Sequence, residues 1–339
     1  MMKQHKTTIK NVADYVGVST ASISYYLNGH YENLSEETVA KIGSAIKQLN
    51  YHPSSIARNL RVQHSKTIGL VFSGITGNLT YQSINGVSEY LSKVGYDTMI
   101  FATNEDAKKE REFILRCVAH RCEGIIIRPA SRENYDLLKE VHENGIPVVM
   151  LSRCDVDLWP YDAAINDYNC VGDMMDYLHQ KGIMKVAFFV DEDKKKIENV
   201  SMNKMYRIKV FLKKAKELFE EDSDSFLYFE INNLAKANLA IDDFVSKSKS
   251  HKMAIFSIST PTLLVTYMAL QNKAKNIINN IELCGYGGAD WIKIMQPCPV
   301  TLTQSLKIRG EEVAKLMIRR LQKPNAVRKI VRIQSKIVE

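Results

Sequence analysis

Residues 8–34, TIKNVADYVGVSTASISYYLNGHYENL, carry the reading of this chain. Ile9, Val12, Ala13 and Val16 recur at helical spacing, so a short amphipathic helix is expected there. Gly17-Val18-Ser19 reads as a tight turn. Gly17 can take the left-handed conformation that closes a helix, and Ser19 can cap the next one. The second helix, about Thr20 to Asn28, is rich in small hydroxyls and tyrosines. Ala13, Val18, Ile23 and Leu27 are spaced to share a small core. Ser35, with Glu36 and Glu37 behind it, starts a third helix whose apolar stripe is Val39, Ile42, Ile46 and Leu49. Two short helices joined by a Gly-containing turn make a helix-turn-helix, which lays its second helix in the DNA major groove. From spacing alone the rival is an ordinary three-helix cap, since isolated matches are common.

The 339 residues give room for two or three domains, and 45% hydrophobic residues allow a large core. A net charge of +8 permits an anionic partner without identifying one. Residues 1–64 are only mildly basic, with seven Lys/Arg against four Asp/Glu. MMKQHKTTIK has no apolar segment, and no apolar run reaches the length of about 18 residues that a membrane span needs, so a cytoplasmic protein is expected. The cysteines at 117, 122, 154, 170, 284 and 298 are scattered. None forms C-x-x-C and no His pair completes a zinc pattern, so free thiols are expected and no metal.

From Ser65 the pattern changes. The apolar runs TIGLVF, YDTMIF, EGIIIR and IPVVML alternate with helical stretches, three of which end in Gly95, Gly145 and Gly182. A second set follows: KVAFFV, FLYFEI, KMAIFSI and IELCGY. Such alternation predicts an α/β core of two doubly wound parallel lobes. Ligands bind at the carboxyl ends of such strands, here in a cleft between lobes. A dinucleotide site is disfavoured: GYGGAD at 285–290 has the wrong spacing, and no G-x-x-x-x-G-K-[ST] occurs. There is no G-x-S-x-G or H-E-x-x-H, so no enzyme is expected and no cofactor. Asp191-Glu192-Asp193 followed by three lysines reads as a solvated loop. RKIVRIQSKIVE, residues 328–339, reads as the last strand-like run, with no heptad tail after it.

Residues 8–72 resemble the LacI/GalR family of bacterial transcription repressors. TIKNVADYVGVS, the S-x-S-YYLNG segment, LSEETVAKI, the NYHPSSIARNL hinge and HSKTIGL occur in that family's order. The likeness continues more loosely to the C-terminus. It implies a helix-turn-helix head at 1–52, a hinge at 53–64 and a periplasmic-binding-protein-like core at 65–339. It also implies a homodimer on a pseudo-palindromic DNA operator, released by a small carbohydrate-derived effector. By match to the family motif, Thr20, Ala21 and Tyr25 fall on base-contacting positions, and Ser22, Ser24 and Asn28 where phosphates are held. Tyr26 is expected to pack and Tyr25 to point outward. Arg58 and Leu60 fall on the hinge, Leu60 at the place of an apolar wedge for the minor groove.

Arg207, in MYRIKVF, matches the family's Arg-x-x-Gly-aromatic ligand motif, with Val210 in place of the glycine. Two acceptor positions of sugar-binding members are lost: Ser259-Thr260 replace Asn-Asp, and Gly287 replaces Asp. Arg128, Ser131, Arg153, Asp290 and Trp291 are further effector-site candidates, the indole for stacking on a sugar face. The arginines favour a sugar acid or sugar phosphate over a neutral pyranose. The head and the RPAS segment (128–131) most resemble a Firmicutes subgroup tied to uronate and ketodeoxygluconate use. A sugar-binding protein without regulatory DNA binding is the competing function, and residues 8–64 argue against it.

Overall fold

The computed structural model describes residues 7–27, 29–51, 65–74, 78–167, 169–195, 202–219, 226–248, 252–287 and 290–339. The chain divides into two compact units, residues 1–65 and 66–339.

The first unit holds α1 (Ile9–Val16), α2 (Thr20–Leu27) and α3 (Glu36–Gln48). Each start has a polar cap. The Thr8 hydroxyl accepts from the Asn11 N–H at 3.3 Å while Asn11 reaches back to the Thr8 N–H, a reciprocal capping box. Ser19 Oγ accepts from the Ser22 N–H at 3.1 Å, and Ser35 Oγ from the Thr38 N–H at 3.2 Å. Gly17 closes α1 at φ +76°, its N–H donating to the Ala13 carbonyl at 2.9 Å. Val12, Ala13, Ile23, Ile42, Ala45 and Tyr51 are buried together, with Val18, Tyr26 and Leu27 packed on their rim. The turn between α1 and α2 is therefore fixed locally, and one small core orients all three helices.

The second unit is α/β, with two six-stranded sheets. Its elements are β1 (Thr67–Phe72), α4 (Asn78–Lys93), β2 (Asp97–Ala102), α5 (Ala107–Ala119), β3 (Gly124–Arg128), α6 (Tyr135–Glu143), β4 (Val148–Leu151) and β5 (Ala163–Asn166). Then come α7 (Cys170–Gln180), β6 (Lys185–Phe189), α8 (Met202–Phe219), β7 (Leu227–Tyr228), α9 (Leu234–Lys247) and β8 (Met253–Ser257). Last are α10 (Thr260–Leu270), α11 (Lys275–Ile278), β9 (Ile281–Tyr286), β10 (Val300–Gln304), α12 (Leu306–Gln322), β11 (Ile330–Ile333) and β12 (Ser335–Val338). The sheet orders are β11-β5-β4-β3-β1-β2 and β12-β10-β9-β8-β6-β7. All pairings are parallel except β10 with β12. The inner parallel strands are buried on both faces, hence the near-continuous apolar runs such as Ile68–Phe72 and Gly124–Ile127.

The eight expected apolar runs are strands. Two strands escaped the sequence reading: β5, AAIN, and β10, VTLTQ. The final run is also corrected. RKIVRIQSKIVE is not one strand but two, split at Gln334, with β11 parallel to β5 in the first sheet and β12 antiparallel to β10 in the second. The chain therefore passes between lobes three times, after β5, after β10 and between β11 and β12.

α12 returns to the first lobe and crosses α4 with its backbone in contact. A Cβ on Gly310 would lie 2.2 Å from the Ser83 carbonyl oxygen, and one on Gly86 the same distance from that of Lys307. Gly310→Ala should lower core stability by about 1–3 kcal/mol, the scale of overpacking, read as a drop in the urea midpoint at unchanged m.

At the end of the first sheet away from the cleft, His142 stacks on Tyr161 with centroids 3.6 Å apart, and its Nδ1 accepts from the Val148 N–H at 3.0 Å. Burial, aided by the Arg320 charge, holds the imidazole below its ordinary pKa. The folded state thus prefers the neutral ring. That contribution is complete above the ordinary value of about 6.5 and is lost as pH falls through the depressed one. His142→Gln, which retains an acceptor, should flatten the decline in melting temperature between about pH 7 and pH 5.

Candidate functional site: the second head helix and the interlobe cleft

Only Ile23 of α2 is buried. Ala21 and Tyr25, one turn apart, are exposed on a common face, and Thr20, Ser22 and Ser24 are half-buried beside it. Tyr25 is 43% exposed, whereas Tyr26 packs edge-on against Tyr31 at 5.5 Å and points its hydroxyl at Gly43 of α3. The Ser22 hydroxyl lies 3.0 Å from that of Ser19, at the helix start. Asn28, Arg58 and Leu60 lie outside the described residues.

In the core, the strand ends of both lobes converge on a cavity of about 280 Å³. The first lobe contributes Arg128 at the end of β3, Ser152 and Arg153 after β4, Asn166 at the end of β5, and Arg309 from α12. Arg309 is nearly buried and donates to Asn166 Oδ1 at 2.7 Å and Ser83 Oγ at 3.0 Å. Arg128 donates to Ser73 Oγ, and Arg153 to Glu105.

The second lobe supplies Arg207 and Lys204 from α8, three residues apart and hence on one face. The Arg207 guanidinium lies 3.5 Å above the centroid of the Tyr286 ring and donates from Nη1 to the Ile258 carbonyl at 2.6 Å. Its Nε is buried without a hydrogen-bond partner. A planar fork is thus clamped on an aromatic shelf with donor capacity left over, which suits a carboxylate or phosphate oxygen. Lys204 pairs with Asp191 at 2.7 Å and Glu192 at 2.8 Å. Ser259 caps α10 and donates to Asp191 Oδ2 at 2.8 Å.

Of the expected effector residues, Arg128, Arg153, Arg207 and Ser259 line this cavity. Ser131 does not. Its hydroxyl accepts from the Glu133 N–H at 3.2 Å in the turn before α6. Trp291 does not stack in the cleft either: it is half-buried against the second lobe's own apolar cluster, on the 3₁₀ helix Asp290–Ile294. Asp290 heads that helix, and its side chain lies outside the described part of the chain. The acidic loop is likewise not simply solvated, since Asp191 and Glu192 hold Lys204. Gly287 has a packing cause: a Cβ there would sit 2.6 Å from Thr301 Cβ of β10. Val210 also finds its compensation, facing Gly172 on α7, so the small residue stands on the opposite helix. Lys204 was discoverable one helical turn before Arg207. Arg309 and Asn166 carried no local signal.

A larger hollow of about 620 Å³ lies at the far end of the first lobe, beside His142 and Tyr161. Its arginines serve the fold. Arg320 binds Asp162 at 2.9 Å and two carbonyls, and Arg328 donates to the Tyr161 and Val156 carbonyls. The cleft is therefore the better ligand site. Among the described residues no group of His, Cys, Asp and Glu could hold a metal ion, and no helix is long and apolar enough to cross a membrane.

A capped helix-turn-helix joined to a two-lobed core with a polar cleft defines a DNA-binding regulator of the ligand-binding kind. Residues 8–54 match bacterial regulatory proteins of the lacI family, and residues 65–339 match the periplasmic binding proteins and sugar binding domain of the LacI family. The chain belongs to the LacI family of transcriptional regulators. It is 27% identical over 333 residues to the HTH-type transcriptional regulator KdgR of Bacillus subtilis, covering 98% of this chain and 96% of that one. It is 24% identical to the ribose operon repressor of Haemophilus influenzae, covering 94% and 93%. The Lac repressor dimer bound to operator and the anti-inducer ONPF shares the fold with a TM-score of 0.78 at 15% identity, covering 98% of each chain.

Proposed function

We propose that this protein is a dimeric repressor which binds a pseudo-palindromic operator and is released from it by a sugar acid or sugar phosphate held between the lobes. The observation that carries the effector class is the cleft's charge. Arg128, Arg153, Lys204, Arg207 and Arg309 line it, and the acidic groups paired with them are Glu105, Asp191 and Glu192. Among the described residues the cleft lining is thus richer in cationic than in acidic side chains, which favours an anionic ligand. Arg207 is the principal receiver, with Arg128, Arg153 and Ser259 completing the contact. The ribose operon repressor named above and the match to the sugar binding domain of the LacI family are consistent with a carbohydrate signal.

In the head, Thr20, Ala21 and Tyr25 read bases, while Ser22, Ser24 and Asn28 hold phosphates. Arg58 and Leu60 act from the hinge, 53–64, between the head at 1–52 and the core from 65. Ligand shifts operator affinity through its differential affinity for the two core states. Calorimetry with D-glucuronate, 6-phosphogluconate and D-glucose, paired with a gel shift on an inverted-repeat fragment, tests this. Binding of an anion with loss of the shifted band is expected. Tight binding of glucose alone would refute the effector class, and absence of any sequence-specific shift would refute the repressor.

A further inference from the structure

Two loops of the first lobe, one lining the cleft and one behind it, are built in a strained way. Asn104 and Glu105, after β2, have φ +54° and +62°, and Ser152 and Arg153, after β4, have φ +60° and +47°. Four non-glycine residues in the left-handed region, in two consecutive pairs, are unfavourable for L side chains, and such outliers concentrate where function requires them. The two loops belong to strands separated by β1 and β3. They meet through a bond from Arg153 Nη1 to Glu105 Oε2. The strands between them join in: the Glu105 N–H donates to the Ser73 carbonyl at 2.6 Å, and Arg128 binds the Ser73 hydroxyl and approaches Glu105 Oε1 to 4.0 Å.

One carboxylate thus approaches two guanidiniums. Arg153 Nε remains buried without a hydrogen-bond partner. The side chains of Arg153 and Arg128 are only 15% and 20% exposed, so the cations are fixed, whereas Glu105 is 47% exposed and has solvent to turn into.

We propose that Glu105 is an intramolecular competitor of the ligand: its carboxylate pairs with Arg153 beside Arg128, and the anionic group of an effector must displace it. The inference rests on the reading that the cleft takes an anion. It makes Glu105 a specificity-determining residue. A ligand must carry its own negative charge to compete, and a neutral sugar leaves the pair closed. It also sets the affinity, since every binding event must first break the internal pair.

The test is Glu105→Gln, which keeps the shape and removes the charge, with Glu105→Asp as the charge-retaining control. Binding of inorganic phosphate, D-glucuronate and D-glucose to the full chain is measured by calorimetry. Glu105→Gln should bind phosphate and glucuronate roughly 10-fold more tightly than the parent, the scale of one charge-assisted bond. Glucose should be unchanged, and Glu105→Asp should remain near the parent. Equal or weaker anion binding by a folded Glu105→Gln protein would overturn the proposal and make Glu105 a positioning residue for the arginines. The two readings fail separately. If the parent binds glucuronate and the variant binds it no more tightly, only the competitor role falls. If no sugar anion binds either protein but the variant gains phosphate affinity, only the effector class falls.

Discussion

Separated from the core at residue 65, the head should bind an inverted-repeat operator about 10²–10⁴-fold more weakly than the full chain. The head has its own core of Val12, Ala13, Ile23, Ile42, Ala45 and Tyr51 and its own caps, so it should stay folded as a fragment. What it loses is the partner. In the proposed dimer two heads would read two half-sites at fixed spacing, the second contact forming at high effective concentration. Fluorescence anisotropy at one stated salt concentration measures the ratio, since phosphate contacts make every such affinity salt-dependent. Equal affinity of fragment and full chain would mean that the core adds nothing to operator recognition.

Arg207→Ala should weaken an anionic effector by roughly 10- to 100-fold, because a charge-assisted hydrogen bond contributes about 1.5–3 kcal/mol. Operator binding without ligand should survive, since the side chain touches Tyr286 and the Ile258 carbonyl within the second lobe. Calorimetry gives the first quantity and a gel shift the second. Retained effector affinity would move the binding role to Arg128 and Arg153.

The head was readable from sequence because its determinants are local. Gly17, Ser19 and Ser35 act on their immediate neighbours, and the caps found are those the residue types require. The one cap not anticipated, Thr8 with Asn11, uses an Asn where the usual pattern has Glu or Gln. The main strands were readable because burial on both faces leaves no polar alternation in TIGLVF or EGIIIR. AAIN and VTLTQ lacked that signature, the first being short and the second rich in threonine. The division of RKIVRIQSKIVE at Gln334 had no turn residue to announce it, because it follows from the approach of two sheets.

The cleft divides in the same way. Arg207 was found from its motif, and Lys204 lies one turn before it. Arg309 enters the cleft only because α12 swings back across α4 on Gly86 and Gly310, a contact between residues more than two hundred positions apart. Trp291 looked like a stacking ring, and tertiary packing gave it to the second lobe's core.

The placement of β11 and β12 bears on how the molecule is made. Synthesis runs from the head, which can fold as soon as residues 8–51 emerge. The core cannot finish then, because one edge strand of each sheet comes late, from residues 330–333 in the first and 335–338 in the second. At ordinary translation rates the interval is on the order of tens of seconds. Throughout it a nascent chain carries a folded head on an incomplete core. The same arrangement makes late truncations severe. A chain stopped just before residue 330 leaves β5 and β10 exposed as unpaired edges, one in each sheet, which invite pairing with other chains. With the weak binding predicted above for a lone head, firm operator binding should therefore wait until residues 330–338 have been added.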